Sequence, residues 1–94
     1  MKTITLTALL TLAAIFPASG QGFNCDRSRT AAEVVICDSG ELSRLDRRLN
    51  RAYARSNTPV WRQRAWLRSR NSCGVDRGCI RRHYLRRIAE LRGE

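Results

Sequence analysis

A chain of 94 residues with four cysteines and a formal net charge of +10 is too short for two domains and too charged to live inside a membrane. So short a chain buries little apolar surface, which excludes a large unaided core and predicts covalent staples. The charge excludes a neutral exterior and predicts attraction to anionic surfaces: envelope polymers, lipid head groups, nucleic acid or acidic proteins.

Residues 1–20 read as a cleaved secretory signal peptide. Lys2 supplies the positive start, residues 4–16 form an apolar run diluted by threonines, and Ala18-Ser19-Gly20 offers the small residues that a signal peptidase reads. Cleavage is expected between Gly20 and Gln21. The run is shorter than the roughly 20 apolar residues of a membrane span and stops at Pro17, so no transmembrane span is expected in the mature chain. Gly22-Phe23-Asn24 before Cys25 lacks the Leu-small-small pattern of a lipidated cysteine. Residues 21–94 are then expected to be one exported domain, periplasmic or secreted by a bacterium.

Export and an even number of cysteines predict two disulfides. Zinc is the competing reading, but C-x11-C and C-x5-C with one histidine, His83, do not match the shorter knuckles of structural zinc sites. No metal or cofactor is expected. Four cysteines allow three pairings. Cys25 with Cys37 and Cys73 with Cys79 is favoured, because each pair flanks one short element.

The elements are all helical, since no run alternates in the manner of a strand. Thr30-Ala31-Ala32-Glu33 is a capping-box pattern opening the short apolar turn Val34-Val35-Ile36. Asp38 is expected to cap a second helix carrying Leu42, Leu45, Leu49, Ala52 and Tyr53 on one face. Ser56-Asn57-Thr58-Pro59 breaks the chain. Thr58 is expected to cap a third helix, with Pro59 in its first position, running to Asn71. Val60, Trp61, Ala65, Trp66 and Leu67 make its apolar side. Gly74 is placed to end that helix, and Asp76 to cap a fourth with the stripe Ile80, Tyr84, Leu85, Ile88 and Leu91. The fold class is therefore a small disulfide-stapled all-α domain of one short and three longer helices. Its core is expected at Leu42, Leu45, Leu49, Tyr53, Trp66, Leu67, Tyr84, Ile88 and Leu91.

Little here points to catalysis. A nucleophile needs a base. The cysteines are expected to be oxidised, and His83 reads as a surface residue among arginines with no evident partner. Glu33, Asp38, Glu41 and Asp76 are explained as cap or first-turn residues. Asp46 lies beside the apolar seam of the second helix, where a carboxylate needs a cation. Arg70 or Arg87 can supply it, making Glu33, Asp46, Arg70 and Arg87 the expected polar network. Trp61, Arg62, Arg64 and Arg68 are candidates for an exposed contact face. An enzyme is not expected, for want of an acid–base pair.

The residues form a series: Cys25, Thr30-x-x-Glu33, Cys37, Leu42, Leu45-Asp46, Leu49, Tyr53, then Gln63-x-x-Trp66-Leu67, Arg70-Asn71-x-Cys73, Cys79, Tyr84 and Arg87-Ile88-x-x-Leu91. This resembles the LprI-type lysozyme inhibitor domain family over nearly all of residues 21–94. The resemblance implies an exported bacterial protein with a small helical domain. It also implies that a lysozyme or other glycan hydrolase is the partner, inhibited by occlusion of its cleft. The net charge leaves a second reading open, a cationic module engaging anionic glycans, lipids or nucleic acid of the envelope through arginine faces.

Overall fold

The computed structural model describes residues 23–93, so the signal-peptide reading lies outside the described residues. A 3-10 turn, Cys25–Arg27, precedes four helices: α1 (Ala31–Asp38), α2 (Gly40–Ala54), α3 (Val60–Asn71) and α4 (Arg77–Leu91). The described residues contain no strand. Both disulfides join cysteines near in sequence, Cys25 to Cys37 and Cys73 to Cys79. The first ties the 3-10 turn to α1, and the second closes the α3–α4 corner. Gly74 sits in that corner with φ +61°, a conformation in which a Cβ is strained.

Local chemistry starts each helix. The Thr30 hydroxyl accepts from the Glu33 amide at 3.1 Å, and the Glu33 carboxylate accepts from the Thr30 amide at 3.1 Å. This reciprocal capping box satisfies donors that α1 would otherwise leave bare. Asp76 caps α4 by accepting from the Cys79 amide at 3.0 Å. Two caps differ from expectation. Asp38 is the last residue of α1, and Ser39 is the N-cap of α2, its hydroxyl accepting from the Leu42 amide at 3.1 Å. Pro59, not Thr58, is the N-cap of α3, and no side chain caps that helix. Proline fixes an entry φ without supplying an acceptor.

Ser39 also ends α1, its amide donating to the Ile36 carbonyl. One extended residue thus serves two helices, and α1 and α2 meet at a sharp elbow. Ser43 reinforces it by donating from its hydroxyl to the same carbonyl at 2.7 Å.

The core is built from α1, α2 and α4. Ala32, Ile36, Leu42, Leu45, Leu49, Ile80, Tyr84 and Ile88 are buried. Their spacing of three and four on each helix puts them on single faces. Trp66 and Leu91 are half-buried against this cluster. Tyr53 and Leu67 are also half-buried. Leu85, counted in the α4 stripe, is instead exposed.

The α3 face departs furthest from the sequence reading. Val60 and Trp61 point outward, and the buried residues are Gln63 and Arg70. Positions 63, 66 and 70 share a face at helical spacing. Two of the three are polar, so an apolar search does not find them.

Ser39→Ala is expected to cost about 1 kcal/mol through loss of the α2 cap, and Asp38→Ala clearly less. Urea unfolding midpoints of the two variants check this; equal losses would return the cap to Asp38.

Candidate functional site

The site grows around one buried cation. Arg70, near the end of α3, is 1% exposed. Charge at such depth must be matched. Its Nη1 donates to the Tyr84 hydroxyl at 3.1 Å, and that hydroxyl donates to Asp46 Oδ1 at 2.8 Å. Arg70 Nη1 also lies 3.7 Å from Asp46 Oδ1, and Nη2 lies 4.0 Å from Glu33 Oε2. Nε and Nη2 both donate to Asn71 Oδ1, at 3.1 and 2.8 Å. The Asp46 Oδ2 atom accepts from Asn50 at 3.3 Å. Among the described residues no buried side-chain polar atom lacks a partner.

Aromatic rings surround the guanidinium. Its carbon lies 5.4 Å from the Phe23 ring centroid, 5.7 Å from Trp66 and 5.9 Å from Tyr84. Trp66 and Tyr84 meet edge to face at 5.4 Å. Ring faces carry negative charge density, so they complement a cation that two carboxylates already balance.

Of the four expected network residues, Glu33, Asp46 and Arg70 come together and Arg87 does not. Arg87 donates to Gln63 Oε1 from Nε and Nη2, at 3.3 and 3.0 Å, and to Glu90 from Nη1 at 3.2 Å. It pins α4 to α3 at a separate point. Arg70 reaches Asp46 because Tyr84 bridges the gap, a role that the hydrophobic pattern of Tyr84 conceals. His83 is not a free surface residue. It is half-buried at the α3–α4 corner, with Nδ1 2.9 Å from the Cys79 carbonyl oxygen and Nε2 3.1 Å from Ser69 Oγ. Its ring stands beside the Cys73–Cys79 disulfide, whose bonded sulfurs offer no thiolate to a metal.

Beside the network lies a hollow of about 330 Å³ between α1, α2 and α3. Leu49, Tyr53, Val60 and Leu67 form largely apolar walls, Phe23 closes one side, and Arg64 stands at the edge. Glu33, Asp46, Arg70 and Asn71 lie at its polar end. Sequence reasoning missed Phe23, Asn50 and Asn71 as members of this site. Asn71 was legible as an amide directly after a buried arginine; Phe23 and Asn50 carried no signal. An apolar hollow with a few convergent polar groups is the usual form of a binding recess. Its polar groups are mutually satisfied, which suits receiving a shape more than moving a proton. Burial, and then the neighbouring Asp46 carboxylate, push the Tyr84 phenol well above its ordinary pKa of 10.0, with Arg70 opposing.

Of the exposed residues of α3, Val60 and Arg64 line this hollow. Trp61 is 64% exposed, and the Arg62 guanidinium lies 5.2 Å from its ring centroid. Arg64 and Arg68 are exposed on the same helix. Elsewhere, the Arg81 guanidinium grips Glu41 through two hydrogen bonds of 3.0 and 2.8 Å, holding that carboxyl below the usual range.

Comparison with curated sequences finds relatives of the chain. The chain is 30% identical, over an alignment covering 80% of its length, to lipoprotein LprI of Mycobacterium tuberculosis and of Mycobacterium bovis. It is a homologue of LprI. The chain spans 43% of the length of these relatives. No family profile and no solved structure matches it.

Asp46→Ala is expected to destabilise the domain by about 3–5 kcal/mol, because it strands the buried Arg70. Asp46→Ala combined with Arg70→Met should lie closer to the parent than either single change, as calorimetric unfolding would register. A phenol pKa raised on folding also lowers stability as pH climbs past about 10, since the unfolded chain then binds fewer protons. Tyr84→Phe should flatten that alkaline decline in unfolding free energy; an unchanged slope would separate it from Tyr84.

Proposed function

We propose that this chain is an exported, lysozyme-inhibitor-like binding protein that acts by occluding the cleft of a glycan hydrolase. The observation that carries the reading is homology to LprI across 80% of the chain. Two disulfides support maturation in an oxidising compartment outside the cytoplasm. No described helix is long and apolar enough to cross a membrane. The signal peptide at 1–20, the mature domain at 21–94 and a periplasmic or secreted destination belong to the same proposal. So does the absence of enzymatic activity, since the buried carboxylates serve Arg70.

The docking face is the outer side of α3. An exposed tryptophan stacked by an arginine has the composition of a binding hot spot, and Trp61 with Arg62 supplies it. Arg64 and Arg68 extend the face, and the apolar hollow beside Arg64 offers a recess for a partner side chain. Lysozymes of the c type are themselves basic, so long-range attraction does not assist this encounter. Affinity must come from local shape and desolvation.

The test is titration of the oxidised protein into c-type and bacterial-type glycan hydrolases at low and moderate salt. Stoichiometric inhibition is expected with at least one class. It should hold or improve as salt screens the mutual repulsion. Trp61→Ala should weaken it about tenfold or more with the disulfides and helix content intact. Full turnover of both classes at every salt concentration would sink the reading.

A further inference from the structure

The α2–α4 seam carries a second feature, independent of the α3 face. Arg44, Arg48, Arg51 and Arg55 recur at intervals of four, three and four along α2 and its C-cap. That spacing aligns them in one stripe, about 16 Å long at 1.5 Å per residue. Two hollows open along this stripe and meet at Arg48, with volumes of about 290 and 480 Å³.

Among the described residues, the smaller one contains the only carboxylate lining the groove, Glu41, already gripped by Arg81. Four arginines, Arg48, Arg51, Arg55 and Arg92, stand around the larger one, and its lining includes no acid among the described residues. Arg48, Arg51 and Arg55 are exposed and form no ion pair among the described residues. Like charges gathered this closely repel unless an anion sits among them.

The groove floor narrows the choice of anion. Between the guanidinium groups it is aliphatic, with Ala52 and Leu91 in the larger hollow and Leu85 in the smaller. Leu85 is 47% exposed. Among the described residues no aromatic ring lines either hollow, so they offer no stacking platform of a single-stranded nucleic-acid site. Guanidinium groups bind phosphate oxygens in pairs, and aliphatic side chains between them match the glycerol and upper acyl region just below a phosphate layer.

We propose that the α2–α4 groove is a docking surface for anionic phospholipid head groups. The arginine stripe lies along the membrane surface, with Leu85 and Leu91 turned toward the lipid. The α3 face, built on a different helix, stays open to a protein partner while the groove is occupied.

The test compares two variants of equal charge. Arg48→Gln/Arg51→Gln/Arg55→Gln removes the three arginines of the stripe that line the larger hollow. Arg77→Gln/Arg82→Gln/Arg86→Gln removes three exposed arginines of α4 that line neither hollow. The exported protein, purified with both disulfides intact, is partitioned onto phosphatidylglycerol vesicles, with phosphatidylcholine vesicles as the blank and heparin as a soluble polyanion. The stripe variant should lose about 100-fold in partition, near fivefold for each arginine, and the α4 variant far less. Parent binding should fall steeply with salt. Equal losses in the two variants would make net charge the cause and overturn the groove assignment. Loss of heparin binding with vesicle binding retained would make the occupant a soluble polyanion and overturn the lipid assignment. Helix content and unfolding midpoints of both variants, expected at the parental values, guard against a folding defect.

Discussion

Arg70 is the constraint around which the other helices are arranged. A guanidinium cannot lose its proton to escape burial, so the surroundings must supply charge, acceptors and ring faces. Each helix contributes: Glu33 from α1, Asp46 from α2, Asn71 and Trp66 from α3, Tyr84 from α4. A buried pair is weak evidence for net stability, because desolvation offsets much of its attraction. Its stronger effect is on uniqueness. The Tyr84 hydroxyl receives from Arg70 and donates to Asp46 only in one register of α2, α3 and α4, and a slip by one turn would strand three buried groups.

Covalent and capping interactions act at the places that this network does not reach. One disulfide holds the start of the domain against α1, and the other fixes the corner between α3 and α4. Between them the Ser39 elbow sets the angle of α1 to α2. In a chain too short for a large core, staples at two corners and an ion network at the centre divide the task. The apolar cluster then needs to join only α1, α2 and α4.

That division explains what was legible in the sequence. The capping box of α1, the Asp76 cap, the helical faces of α2 and α4 and the disulfide pairs all follow local rules, and local rules can be read along a chain. Ser39 was overlooked because Asp38 is an equally good cap by type, and the choice depends on where α1 stops. On the inner face of α3, Trp66 and Arg70 were expected, as a core residue and as a candidate partner of Asp46, and Gln63 was overlooked for a different reason. It is buried through a partner 24 residues away, and nothing in its own segment marks it as interior. The assignment of an arginine to Asp46 was open between Arg70 and Arg87 because the bridging phenol comes from a position whose periodicity declares it hydrophobic. His83 was misplaced because the arginines around it on α4 mask the single turn that faces the corner.

The way α3 is held has a consequence for how such a domain diversifies. Its attachment uses one narrow polar edge, Gln63 to Arg87 and Arg70 to Tyr84 and Asp46, with Trp66 between. The rest of the helix surface contributes nothing to the buried cluster: Val60 and Arg64 flank the hollow, and Trp61, Arg62 and Arg68 are exposed. The residues that hold the scaffold and those left to solvent are therefore separate letters of the same twelve-residue helix. Exchange of the outer letters one at a time leaves that narrow edge, and with it the seat of the helix, unchanged.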